Sequence, residues 1–117
     1  LAARCRRKYA VALNTGTAAI HLGLKALGVG AGDDVVAPTF TYIGSVGPVV
    51  YEGATPLFVD SEPVSWNLDP NRAEDCIKER LRAGGKPKVL LVVHTYGMPG
   101  PMRDYEALAR RYGLALL

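Results

Sequence analysis

Short apolar runs alternate along this chain with segments whose apolar residues recur at three- and four-residue spacing. Tyr9-Ala10-Val11-Ala12-Leu13 reads as a strand over residues 9–14, after what reads as the end of a helix over residues 1–8. Ile20, Leu24 and Leu27 then place one apolar face on a helix from Gly16 to Leu27. Gly28, Gly30 and Gly32 end that helix and make a loop. Asp34-Val35-Val36-Ala37-Pro38 predicts a strand, and residues 42–52 predict a helix that Gly44, Gly47 and Pro48 weaken. Pro56-Leu57-Phe58-Val59-Asp60 predicts the next strand, followed by a loop over 61–69 that holds Trp66. Pro70 opens a helix that runs to Arg82 and breaks at Gly84-Gly85. Lys88-Val89-Leu90-Leu91-Val92-Val93 is a continuous apolar run, as a strand buried on both faces requires. A last helix spans Met102 to Tyr112 with Gly113 as its cap, and a strand begins at Leu114.

Strands separated by helices predict an α/β fold, a mostly parallel sheet with helices on both faces and right-handed crossovers. In such sheets ligands bind outside the carboxyl ends of the strands. Thr15-Gly16-Thr17, Thr39-Phe40-Thr41-Tyr42, Asp60 and His94-Thr95-Tyr96-Gly97 all fall at those ends. The first of these carries the most chemistry. Gly16 lets the backbone approach an anion, Thr15 and Thr17 offer hydroxyls, and the first turn of a helix offers free N–H groups at the positive end of its dipole. The same residues also serve as ordinary turn and cap residues.

Composition narrows the picture. With 117 residues and 49% hydrophobic content the chain can build one modest core. It begins at Leu1 rather than Met and ends inside the apolar run Leu114-Ala115-Leu116-Leu117, which reads as a segment of a longer protein. No apolar run reaches membrane-spanning length and no signal-peptide pattern is present, so a cytoplasmic setting is expected, with no membrane partner. The net charge of +3 owes much to Arg4, Arg6, Arg7 and Lys8. That cluster lacks the interleaved aromatics of a single-strand binder and reads as a solvated helix end rather than a nucleic-acid surface. Cys5 and Cys76, like His21 and His94, lie too far apart for a metal spacing, so no metal site is expected.

Together the segments resemble a known family. Tyr9-Ala10-Val11-Ala12-Leu13-Asn14-Thr15-Gly16-Thr17-Ala18-Ala19-Ile20-His21-Leu22, Gly32-Asp33-Asp34-Val35-Val36-Ala37-Pro38-Thr39-Phe40-Thr41-Tyr42 and Gly53-Ala54-Thr55-Pro56-Leu57-Phe58-Val59-Asp60 carry the resemblance, with Trp66-Asn67-Leu68-Asp69-Pro70 and Val93-His94-Thr95-Tyr96-Gly97-Met98-Pro99. The chain resembles the N-terminal part of the large domain of the pyridoxal-phosphate sugar aminotransferases, the DegT/DnrJ/StrS group. The resemblance implies the fold-type I architecture, with residues 1–117 as a partial cofactor-binding domain. It also implies a homodimer, pyridoxal 5′-phosphate as cofactor, a nucleotide-sugar substrate and an amino-acid amino donor. Gly16 and Thr17 match the turn that anchors the cofactor phosphate, and Tyr42 matches the aromatic that stacks on the cofactor ring.

In the resembled family an acidic partner for the cofactor follows the strand at which this sequence stops, and the Schiff-base lysine comes later. The resemblance thus implies that these residues alone do not transaminate. Lys25, Lys78, Lys86 and Lys88 fall on helix or loop surfaces away from the strand carboxyl ends. A dehydratase of the same family, with histidine in place of the lysine, stays open, as does a non-catalytic nucleotide-binding module. The first strand–helix turn carries no Gly-x-Gly-x-x-Gly and no Gly-Lys-Ser/Thr. Two positions depart from the family pattern: Gly47 stands where relatives often have Asn, and Arg6-Arg7-Lys8 where they often have a glycine turn. His94 stays open between a hydrogen-bonded histidine at a strand end and a substrate contact; Asp60 reads as a helix- or loop-capping carboxylate, His21 as structural, Trp66 as a packing anchor of its loop, and Ser45 as a residue that could reach the site.

Overall fold

Val35, Val36 and Ala37 have no accessible surface, and the architecture follows from covering them on both sides. The computed structural model describes residues 1–5 and 7–117. Its elements in chain order are α1 (Gly16–Ala26), β1 (Asp34–Pro38), α2 (Ile43–Tyr51), β2 (Thr55–Val59), α3 (Pro70–Arg82), β3 (Pro87–Leu90), α4 (Met102–Tyr112) and β4 (Ala115–Leu116). The sheet runs β2-β1-β3-β4 and every pairing is parallel. Parallel neighbours need long crossovers, and the helices supply them. Side chains alternate along β1, so Val35 and Ala37 face one core while Val36 faces the other. Leu24 of α1 and Val46 and Val49 of α2 close the first core. Ala73 and Ile77 of α3 and Tyr105 and Leu108 of α4 close the second. Burial of each large aliphatic side chain there contributes about 1.5–3 kcal/mol. The α/β reading with helices on both faces holds.

Helix ends match their sequence signals. Asp69 caps α3 by accepting the Asn71 and Arg72 N–H groups, with Pro70 in the first turn. Gly113 ends α4 in the left-handed conformation, φ 68°. β1 is anchored by a polar group at its start. The Asp34 carboxylate is buried and accepts from Arg80 Nε at 2.8 Å, Arg80 Nη2 at 3.1 Å and the Lys86 N–H at 2.8 Å. Those bonds compensate the desolvation of the carboxylate and tie β1 to α3 and to the approach to β3.

Three expectations are corrected. Residues 9–14 form no strand: Tyr9 and Val11 are 75% and 74% exposed, and no described strand lies beside them to complete a ladder. The described residues among 1–8 form no helix; a turn there joins the Cys5 N–H to the Leu1 carbonyl at 3.0 Å. Arg6 of the basic cluster lies outside the described residues. The strand expected over 88–93 spans Pro87–Leu90, although Leu91 and Val92 still donate to the Val36 and Leu117 carbonyls at 2.8 and 2.9 Å.

Tyr105 carries the second core's main polar contact. Its buried hydroxyl donates to the Leu68 carbonyl at 2.6 Å, and burial pushes the phenol up to about 12. The unfolded phenol titrates near 10, so this contribution is full below about pH 10 and is lost as pH climbs through the folded-state value. Tyr105→Phe is expected to cost roughly 1–3 kcal/mol at neutral pH by stranding the Leu68 carbonyl. The variant should also lose less stability than the parent in strong alkali. Urea titrations at neutral and alkaline pH measure both, and an identical alkaline loss in the two proteins would refute the assignment.

Candidate functional site

The carboxyl end of the sheet gathers the first turns of α1 and α2. Thr15 caps α1, its Oγ1 accepting the Ala18 N–H at 3.0 Å. Among the described residues the N–H groups of Gly16 and Thr17 meet no protein acceptor, and the first turn of α1 carries no acidic residue. The positive end of this helix is therefore free to hold an anion. A Cβ placed on Gly16 would meet nothing within 4 Å, so the space beside the backbone is open.

β1 ends at Pro38, and the chain turns through Thr39–Tyr42 into α2. Tyr42 occupies the N-cap position without making a side-chain cap bond, and its ring is 78% exposed. Gly44 joins it to α1. A Cβ on Gly44 would lie 2.5 Å from Thr17 Oγ1 and 2.8 Å from the Tyr42 ring. Only a residue without a side chain lets the two helix starts come this close. The junction puts the Thr17 hydroxyl and the Tyr42 ring on one spot, so two of the three residues singled out from sequence converge in space, with Gly16 next to Thr17 on the same turn.

Tyr42 also lines a cleft of about 460 Å³ with Phe40, Thr41, Ser45, Val93, Thr95 and Tyr96. Gly16 and Thr17 do not line it; they adjoin it through Gly44 and Tyr42. Thr41 Oγ1 donates to Ser45 Oγ at 2.8 Å, which fixes the floor of the cleft next to Tyr42. The far wall hangs on Asn67. This buried side chain donates Nδ2 to the Met98 carbonyl at 3.1 Å and accepts the Thr95 N–H on Oδ1 at 3.0 Å.

The remaining candidates tie loops and helices together. Asp60 accepts from the Thr39 hydroxyl at 3.2 Å and from Arg72 Nη1 at 3.3 Å. His94 Nδ1 accepts the Gly100 N–H at 3.2 Å. His21 joins α1 to α2, its Nε2 2.6 Å from Glu52 Oε1 and its ring edge-on to Tyr51 at 5.7 Å. Trp66 leans on Phe40 with ring centres 5.5 Å apart, yet stays 59% exposed. The lysines point elsewhere. Lys25 pairs with Glu52 at 3.4 Å and Lys78 with Glu74 at 3.2 Å. Lys88 pairs with Asp33 at 3.0 Å, next to the opposite end of β1. Among the described residues no lysine lines the cleft and no cluster of three metal-ligating side chains occurs. The arrangement can hold an anion beside a planar ring; among the described residues no lysine, histidine or carboxylate stands on the walls of the cleft.

Gly44 and Asn67 are the contributors that sequence reasoning passed over. Gly44 reads as a defect in a helix until the neighbouring helix is in place. Asn67 reads as one polar residue in a loop, and its partners lie 28 and 31 positions away.

The DegT/DnrJ/EryC1/StrS aminotransferase family profile matches residues 1–117. The GDP-perosamine synthase of Caulobacter vibrioides is 42% identical over 113 residues, covering 97% of this chain and 29% of its own length. The dTDP-3-amino-3,4,6-trideoxy-alpha-D-glucose transaminase of Streptomyces venezuelae is 41% identical over 116 residues, covering 99% of this chain and 29% of its own length. Among solved structures, NtdA of Bacillus subtilis with bound cofactor PMP superposes with a TM-score of 0.78 at 34% identity, covering 86% of this chain and 22% of that one. The chain thus spans under a third of the length of these relatives.

Exposure of Tyr42 yields a direct test of its place. Tyr42→Ala is expected to change the stability of the ligand-free protein by less than about 1 kcal/mol, as at other exposed positions. A core aromatic would lose roughly 3–5 kcal/mol. Denaturant midpoints of the two proteins decide, and a loss in the core range would place the ring inside the fold.

Proposed function

The chain belongs to the DegT/DnrJ/EryC1/StrS aminotransferase family, and from that membership we propose that it forms the cofactor-anchoring part of a pyridoxal 5′-phosphate-dependent aminotransferase acting on a nucleotide-linked keto sugar. An amino acid is the amino donor in this reading, and the enzyme is a cytoplasmic homodimer. The observation that carries the reading is the junction at Gly44, where the Thr17 hydroxyl and the Tyr42 ring meet next to the free N–H groups of α1.

The residues present suit that cofactor. Its phosphate is a dianion, and the N–H groups of Gly16 and Thr17 with the Thr17 hydroxyl offer three donors at the positive end of a helix. Its ring is planar, and Tyr42 presents an exposed face at the start of α2. Stacking of this kind is worth about 0.5–1.5 kcal/mol beyond area burial and excludes water from one face of the ring. Bound there, pyridoxal phosphate supplies an electron sink for chemistry at the carbon that carries the amino group. The chain's own share is to bind and orient. Gly16 leaves room for the phosphate, Thr17 and the helix hold it, and Tyr42 sets the tilt of the ring. The lysine and the acidic partner that complete such a site come, in this reading, from the remainder of a longer polypeptide. The outward-facing Leu22, Val50 and Tyr51 of α1 and α2 are 46%, 60% and 67% exposed, a surface suited to contact with a second copy.

The test is cofactor titration of the full-length protein, followed by absorbance and by retention through dialysis. The parent should take up pyridoxal phosphate stoichiometrically. Tyr42→Ala is expected to weaken retention about tenfold, near the upper end of the stacking range. Gly16→Val, which meets nothing in the protein itself, should abolish binding while leaving the melting temperature in place. A parent that takes up no cofactor, or a Gly16→Val variant that retains it fully, would refute the reading.

A further inference from the structure

Phe40 and Tyr96, with ring centres 6.4 Å apart, separate the cofactor cleft from a second groove of about 430 Å³. Its walls are Phe40, Val64, Trp66, Tyr96 and Met98, with Ser65 and Thr95 between them. Trp66 and Tyr96 sit in the left-handed backbone region at φ 63° and φ 52°, the two described non-glycine residues that do so. Bulky aromatics seldom adopt that region, and such strain persists only where the surroundings fix it.

Here the surroundings do fix it. Asn67 follows Trp66, and its side chain holds both ends of the Thr95–Met98 turn that carries Tyr96. Asn67 Nδ2 also donates to Ser65 Oγ at 2.9 Å. The Glu62 carboxylate accepts the Val64 and Ser65 N–H groups at 2.7 and 2.6 Å, closing the loop beneath Trp66. The rings so fixed do not pack inward: Trp66 stays 59% and Tyr96 96% exposed. Two strained, pinned aromatics aimed at solvent across one groove have the form of a recognition surface.

We propose that this groove is the subsite for the flat heterocyclic base of the nucleotide-linked substrate, with Asn67 as the positioning residue for its two strained walls. The proposal rests on the aminotransferase reading above, which supplies the nucleotide. The walls offer ring faces, a thioether and two small hydroxyl residues, Ser65 and Thr95, and no charged side chain, so their larger part suits the face of a planar base. The groove shares Phe40, Thr95 and Tyr96 with the cofactor cleft, so a ligand whose base stacks in the groove can turn its sugar toward the cofactor. Stacking faces tolerate more than one base, which leaves the choice of nucleotide to other contacts.

The experiment titrates GDP, dTDP and UDP into the full-length protein, with and without pyridoxal phosphate, by calorimetry. The parent should bind at least one of them. Trp66→Ala and Tyr96→Ala, both at exposed rings, should weaken that affinity about tenfold, within the range for loss of one base-stacking contact. Trp66→Ala, whose ring is not among the cleft's lining residues, should leave cofactor retention and the KM for the amino donor unchanged. Asn67→Ala should lower nucleotide affinity more than it lowers cofactor retention, a split that a general loss of stability would not produce. Unchanged nucleotide affinity in the Trp66 and Tyr96 variants overturns the proposal. So does a cofactor-loaded parent that binds none of the three. A shift of the variants from dimer to monomer at constant nucleotide affinity would likewise overturn it and make the groove a contact between copies. Trp66-dependent nucleotide binding in a protein that takes up no pyridoxal phosphate would keep the groove and refute the aminotransferase reading instead.

Discussion

A strand buried on both faces can satisfy its backbone only with strand neighbours on each side, and its side chains only with a layer above and a layer below. β1 is that strand, and all five of its residues are buried. Its parallel partners β2 and β3 satisfy the backbone, and the crossovers that parallel pairing demands become the covering helices. Because the strands run in one direction, the loops that leave them collect at one edge. Thr39–Tyr42 leaves β1, Asp60 leaves β2, and Val93–Tyr96 follows β3. The candidate site is thus a consequence of how β1 is buried, and the Asp34–Arg80 pair at its other end holds the strand in place.

Local contacts decided what could be read without a structure. α3 and α4 match their expected limits, Pro70 to Arg82 and Met102 to Tyr112, because Asp69, Pro70 and Gly113 are short-range signals. β1 matches as well, since the apolar run Val35-Val36-Ala37-Pro38 between the aspartates after Gly32 and the threonine turn allows few alternatives. Residues 9–14 failed for the opposite reason. Alternating apolar residues favour an extended chain, yet a ladder needs a neighbour, and none of the described strands supplies one. The candidate site divides in the same way. Gly16, Thr17 and Tyr42 carried recognisable chemistry at recognisable places. Gly44 and Asn67 act through Thr17, Thr95 and Met98, which lie 27 to 31 positions away in sequence. No local pattern encodes such partners.

The two grooves divide their work between backbone and side chain. At α1 the proposed phosphate donors are N–H groups of a capped helix, whose direction is set by the helix and needs no side-chain ordering. At Phe40, Trp66 and Tyr96 they are rings, and Asn67 with strained backbone sets the directions of the last two. A backbone anchor beside a fixed aromatic wall suits the proposed pairing of one cofactor with a stacked base. Relatives of this chain carry names that specify GDP-linked and dTDP-linked sugars.

The central claim is that the start of α1 and the ring of Tyr42 hold the two ends of one bound molecule. A crystal structure of the full-length protein grown with pyridoxal phosphate tests it most directly. The account predicts phosphate oxygens within about 3 Å of the Gly16 and Thr17 nitrogens, with the pyridine ring lying on the face of Tyr42. A phosphate bound away from α1, or a pyridine ring with Tyr42 turned from it, would contradict the account.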